Sequence, residues 1–171
     1  MLIKNLPEGV HFLEMTQEKI AHLWVLFQKA NGVFDDITKG DIGFFINELA
    51  KRDAVWLELD DGSGLLYATG VIPGLSANVH IAFFDHKIKD RYKTIIECLA
   101  WLVNMCDLEK VNASLPEFTH IARKHVEALG FKEEGVIRRF SRSNGQLYNQ
   151  FLYGIFKEEV LLHPLLNKEI N

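Results

Sequence analysis

The change of period between Asn78 and Cys106 constrains this chain more than any other feature. Val79, Ile81 and Phe83 alternate with His80, Ala82 and Phe84, the repeat of a strand. After a polar turn, Tyr92, Ile95, Ile96, Leu99, Leu102, Val103 and Cys106 recur at helical spacing and make one apolar stripe. Lys110 to Ser114 reads as the next strand. A strand, a helix and a strand in succession imply a parallel pair joined by a right-handed crossover. The turn and helix start carry Lys87, Lys89, Arg91 and Lys93. The first N–H groups of a helix have no partner inside it. The stretch is therefore either an anion site suited to a phosphate-bearing ligand or a solvated basic turn on an ordinary strand–helix unit.

The flanking elements follow from the same two periods. Val10 to Met15 is a short strand. Thr16 caps a helix with Ile20, Leu23, Trp24 and Phe27 on one face, ending near Ala30 before Asn31-Gly32. Thr38 opens a second helix, with Asp41 completing an approximate capping box and Ile42, Phe45, Ile46 and Leu49 facing one way. The loop between these helices, with Asp35 and Asp36, either borders a cleft or is a plain connection. Ala54–Leu59 and Leu65–Ile72 form a hairpin, and Pro73-Gly74 turns the chain into the strand from Asn78, giving a three-strand meander. Thr119 caps a helix bearing Ile121, Ala122, His125, Val126 and Leu129, and Gly130 stands where a left-handed C-cap belongs. Lys132–Arg142 and Gln146–Phe156 are two long strands about Asn144-Gly145, a hairpin signal. Residues 1–159 read as one domain. The partly apolar tail 160–171 docks either on that domain or on a neighbour.

A single domain of 171 residues buries a core without help from metal or disulfide. The net charge of −4 argues against a general polyanion binder, so nucleic acid is not an expected partner. Arg138 and Arg139 should point to opposite sides of a strand, which weakens a single basic patch there. No apolar run reaches the length of a membrane span and no secretory signal opens the sequence, so the expected location is cytoplasmic. Cys98 and Cys106 lie eight residues apart on one helix, about 12 Å of rise, too far for a disulfide. His120 and His125 do not share a helix face and no metal-ligand spacing occurs, so no metal is expected.

The order strand, two helices, three-strand meander, helix, strand, helix, hairpin resembles the GCN5-related N-acetyltransferase (GNAT) superfamily. The likeness is sharpest at Ala122–Phe131, ARKHVEALGF, and in the hairpin that runs through Gly135 to Lys157-Glu158-Glu159. It implies an α+β (mixed α/β) GNAT-like acyl-CoA N-acyltransferase fold: a central mixed sheet of about seven strands, about four helices, and two central parallel strands that splay apart. It further implies acetyl-CoA or another acyl-CoA in that V. Ile81 and Phe83 would lie along the pantetheine, with Lys87, Lys89, Arg91, Tyr92, Lys93 and Thr94 around the pyrophosphate and Thr119 at the start of the later helix. The family's phosphate loop usually reads Gln or Arg, two residues, Gly, one residue, Gly or Ala. Here those places fall on Lys89, Tyr92 and Thr94, without glycine. The family's asparagine and tyrosine general acid fall on Thr119 and Val126. Valine cannot protonate a thiolate, and His125 beside it points about 100° away on a helix.

Acyl transfer to an amine needs a proton acceptor and a proton donor. His80, in the middle of its strand, and Glu58, on the second meander strand, are candidate bases, with Asp60 as a further one. Tyr148 is the candidate acid, with Tyr153 as a further one. Each also reads as an ordinary residue: His80 as a hydrogen-bonded histidine, Glu58 as solvent-facing, the tyrosines as sheet packing. Two functions follow. The first is an N-acyltransferase whose partners are acyl-CoA and an amine acceptor. The second is a catalytically degenerate GNAT-like binding or assembly factor with a protein partner. That form looks like proteins encoded by bacteriophages, which would act in the host cytoplasm in accessory or virion assembly roles.

Overall fold

A computed structural model describes residues 5–29, 36, 38, 40–84 and 91–167. Lys87 and Lys89 lie outside the described residues. The elements run β1 (Val10–Phe12), α1 (Gln17–Lys29), α2 (Ile42–Leu49), β2 (Val55–Leu59), β3 (Gly64–Ile72), β4 (Ser76–Phe83), α3 (Tyr92–Met105), β5 (Lys110–Pro116), α4 (His120–Ala128), β6 (Lys132–Ser143), β7 (Gln146–Phe156), α5 (Lys157–Leu161) and α6 (Pro164–Asn167). The strands form a seven-stranded sheet in the order β1-β2-β3-β4-β5-β7-β6. Every neighbouring pair is antiparallel except β4 and β5. That parallel pair is the crossover through α3 that the period change demands.

The sheet is covered on both faces. Alternation along the meander sends Leu57, Leu66, Ala68 and Val79 into a core with α3, and Trp56, Leu65 and Ala82 into a second core with Leu23 and Phe27 of α1 and Phe45 and Leu49 of α2. The expected single stripe on α3 is too narrow. Ile95, Ile96 and every residue from Cys98 to Val103 are buried. The cause is the C-terminal segment: Val160 is fully buried, and Leu161, Leu165 and Leu166 of α5 and α6 pack against the same core. A helix apolar all round needs cover all round. No helix among the described residues is long and apolar enough to cross a membrane.

Local chemistry sets the helix ends. Thr16 Oγ1 accepts the Lys19 N–H at 3.1 Å. The cap of α2 is Asp41, not Thr38: its carboxylate accepts the Phe44 N–H at 2.9 Å, because it stands directly before the first apolar turn. Thr119 occupies the N-cap position of α4, but its hydroxyl donates to the Pro116 carbonyl at 2.7 Å instead of capping. At the far end of α4, Gly130 takes φ +90, Phe131 N–H donates to Val126 O at 3.2 Å and Gly130 N–H to Glu127 O at 3.0 Å. This is a Schellman close, and only glycine accepts that φ without strain. It fixes the last turn of α4, which carries Val126 and Leu129.

Candidate functional site

β4 and β5 pair only at Ser76 with Lys110, Ala77 with Val111 and Asn78 with Asn112. Farther along, β4 stays on β3 as far as Phe83 opposite Gly64, and β5 stays on β7 as far as Pro116 opposite Gln150. Each strand therefore keeps its outer neighbour and leaves its inner one. A cavity of about 380 Å³ occupies the gap. Its α3/α4 side is apolar, with Val79 and Ile81 from β4, Leu115 from β5, and Val126, Leu129 and Phe131 from and just after α4. Its other side is aromatic, with Phe44, Tyr67, Phe118 and Phe140.

A ladder of rings borders this aromatic side. Trp56, Tyr67 and His80 stand opposite one another on β2, β3 and β4. Trp56 and Tyr67 stack at 4.0 Å and 11°, Tyr67 and His80 at 4.6 Å and 12°. His80 Nε2 lies 3.3 Å from Thr69 Oγ1. Burial pulls His80 down to about 4, so its ring is neutral near neutral pH. Burial also pushes the Tyr67 hydroxyl well above the ordinary tyrosine range, so it stays protonated and can donate. Both residues line the cavity.

The facing wall is polar but uncharged. The Ser141 hydroxyl donates to Gln150 Oε1, and Gln150 Nε2 donates to Ser114 Oγ at 2.8 Å. Ser141 and Gln150 are buried. Ser114 accepts in this chain, which leaves its own O–H free to donate into the cavity. A bulge makes the wall possible. Between Ile137 and Ser141 the register of β6 on β7 shifts, Arg139 takes φ 55, and its N–H donates to Asn149 Oδ1 at 3.2 Å. Strict alternation is lost there, so the adjacent residues Phe140 and Ser141 both reach the cavity. At this bulge Arg138, Arg139 and Asn149 border one surface depression. The α1–α2 connection does border the cleft: Thr38 lines the cavity, and Asp36 accepts the Asn144 and Gly145 N–H groups at 2.9 and 2.8 Å, tying the connection to the β6–β7 turn.

The structure places the sequence candidates unequally. His80 and Ile81 line the cavity. Phe83 sits on the α3 side of β4, beneath the Arg91 guanidinium at 5.2 Å from its ring centre. Arg91 begins α3 and pairs with Asp61 at 3.3 Å. Lys93 is exposed, 3.8 Å from Glu97, and Thr94 is half-buried. Tyr92 does something the sequence did not suggest: its hydroxyl lies 2.6 Å from His125 Nδ1, joining the first turn of α3 to α4. His125 and Val126 both line the cavity, because the face that α4 presents is wider than the angle between them.

Glu58 is not brought into the cavity. Its buried carboxylate is held by Lys19 Nζ at 2.7 and 2.8 Å and by His11 Nε2 at 3.3 Å. Asp60 is bonded to His11 Nδ1 at 2.7 Å. Tyr148 also lies outside, donating to Gln146 Oε1 at 2.8 Å and packing edge-on against Phe118 at 5.1 Å. Tyr153 is buried between Arg123 Nε at 3.1 Å and Glu127 Oε1 at 3.0 Å. Cys98 is a buried thiol pushed up to about 12 and is chemically quiet. The residues missed by sequence reasoning are Tyr67, Ser114, Ser141 and Gln150. Tyr67 was within reach, since it and His80 are equidistant from the meander turn near Pro73-Gly74.

No family model and no curated protein matches the sequence. Solved structures do resemble its fold. The spermidine N-acetyltransferase of Vibrio cholerae, in complex with CoA and spermine, superposes with a TM-score of 0.69 at 15% identity, over 91% of this chain and 99% of that one. A chimera of that enzyme gives a TM-score of 0.73 at 15% identity, over 91% and 100%. A probable acetyltransferase gives 0.68 at 17% identity, over 91% and 97%. The protein has the GNAT fold, as its element order implied; at these identities the likeness speaks to fold alone.

Proposed function

We propose that this protein is an N-acyltransferase that moves an acyl group from an acyl-CoA thioester, acetyl-CoA in the simplest case, to an amine. The observation that carries the reading is the gap between β4 and β5 with the cavity that occupies it. The described residues fit the pantetheine arm. Beyond Asn78 the inner edge of β4 has no strand paired to it among the described residues, so its backbone can pair with an extended amide chain. Val79, Ile81 and Leu115 supply apolar walls on either side. Arg91 and Lys93, at the start of α3, supply positive charge and helix N–H groups for phosphates.

The thioester supplies the electrophilic carbonyl. The protein's residues handle the protons. The amine would attack as its neutral form, its ammonium proton having been left to solvent, and the proton it sheds on acylation would pass to His80, a neutral ring that lines the cavity. Tyr67 and Ser114 are the donors for charge that develops on the carbonyl oxygen or the departing sulfur. Calorimetric titration with acetyl-CoA and with CoA tests the reading: both should bind and compete. No heat and no competition at millimolar ligand removes it.

A second reading rests on one observation. The Tyr92 side chain spans from α3 to His125 where the family's loop has glycines, and Val126 stands where it has a tyrosine acid. A GNAT-fold binding or assembly factor without catalysis would tolerate both. Sustained turnover of any amine removes this reading.

A further inference from the structure

We infer that the acceptor is a monoamine with an apolar or aromatic body, of the arylalkylamine class, and not a polyamine. The inference rests on the acyl-transfer reading and narrows it. Four aromatic residues, Phe44, Tyr67, Phe118 and Phe140, surround the cavity on the α1/α2 side. Among the described residues no aspartate or glutamate lines it. The nearby carboxylates are engaged elsewhere: Asp36 with the β6–β7 turn at 2.8 and 2.9 Å, Glu48 with Lys51 at 2.6 Å, Glu58 with Lys19 at 2.7 Å. The polar groups on the α1/α2 side of the space are neutral, namely Tyr67, the Ser141–Gln150–Ser114 chain and the His80 ring, and His125 on the α4 side is bonded to the Tyr92 hydroxyl at 2.6 Å.

A polyamine must lose one proton to react and still carries at least one more ammonium. Inside this lining that charge has no counter-charge, and an unpaired buried cation is strongly disfavoured. A ring on a short linker brings a single nitrogen, and its faces and edges meet those of the four aromatic residues. About 380 Å³, shared with the acyl group and the end of the pantetheine arm, is at the small end for ligand sites and leaves room for no more than one small ring. Likeness of fold does not fix the acceptor, because the lining is set by side chains that vary freely on one scaffold.

Calorimetric titration of the protein, with and without CoA, using 2-phenylethylamine and spermidine decides the matter, together with thiol release from acetyl-CoA for both amines. 2-Phenylethylamine should bind and be acetylated with a kcat/KM at least about 100-fold above that for spermidine. Gln150→Glu, which puts a carboxylate into the polar wall at unchanged shape, should cut that ratio by at least about tenfold. Ser114→Trp should fill the cavity and abolish the 2-phenylethylamine heat. Spermidine bound or acetylated as well as 2-phenylethylamine overturns the inference and leaves acyl transfer standing. If no amine releases thiol, acyl transfer fails, and binding still decides the acceptor site. A 2-phenylethylamine heat lost in Ser114→Trp then upholds an apolar amine site, and absence of that heat in the unmodified protein overturns it.

Discussion

Replacing His80 by phenylalanine removes the titratable ring of the Trp56–Tyr67–His80 stack and keeps an aromatic ring against Tyr67. Burial holds the imidazole at about 4 against an ordinary 6.5; Glu48 pulls it up and Lys51 pulls it down, and these two are paired to each other. Between those two values the unfolded chain binds a proton that the folded chain refuses, so folding stability rises with pH across that window. The contribution is whole above 6.5, is lost as the pH falls toward 4, and changes little below. At roughly 1.4 kcal/mol for each pH unit the gap amounts to about 3 kcal/mol. Urea unfolding of both proteins near pH 7 and near pH 4 measures it, because the other histidines and the carboxylates contribute equally to both and cancel in the difference. The unmodified protein should lose about 3 kcal/mol more than His80→Phe on acidification. Equal losses, or a His80 proton resonance that titrates near the ordinary value, would refute a cavity closed enough to desolvate this ring.

Three further outcomes are expected. Tyr67→Phe should leave unfolding free energy within about 0.5 kcal/mol, since no hydrogen bond holds the hydroxyl among the described residues, yet lower kcat by about 100-fold; equal turnover would remove Tyr67 as a donor. Gly64→Ala should cost about 1–3 kcal/mol, because the new Cβ runs into the Phe83 ring in a packed strand pair, whereas Gly154→Ala should cost less, its neighbours being the flexible ends of Lys110 and Glu134; chemical unfolding of the two variants ranks them. Lys19→Met should cost about 2–3 kcal/mol by leaving the buried Glu58 with His11 alone, while kcat changes less than about twofold, because neither residue lines the cavity; a large fall in kcat with folding intact would return Glu58 to the reaction.

Much of the fold was legible because the strongest local signals agree with the global architecture. Asn144-Gly145 fixes its hairpin, and the observed β7, Gln146–Phe156, starts and ends where the pattern says it should. Gly130 ends α4 where a left-handed residue was required. The start of α2 was misplaced because Thr38 and Asp41 are both good caps, and only the position of the first buried turn chooses between them. The site was harder to read. His80 could be singled out as a polar ring in an apolar strand, but Tyr67 looks like any strand tyrosine until the register with β4 places it beside His80. Glu58 resembled a solvent-facing residue or a base; the sequence could not show that Lys19, far off in α1, would hold it. Phe140 and Ser141 share the cavity because of a bulge, and alternation cannot foresee a bulge.

A crystal structure of the protein soaked with acetyl-CoA tests the central claim most directly. The account predicts a thioester threaded between β4 beyond Asn78 and β5 beyond Asn112, its amides paired with the free edge of β4 and its acyl group beside His80 and Tyr67. Density for the ligand elsewhere on the surface, or β4 and β5 hydrogen-bonded along their full length with no space between them, would contradict it.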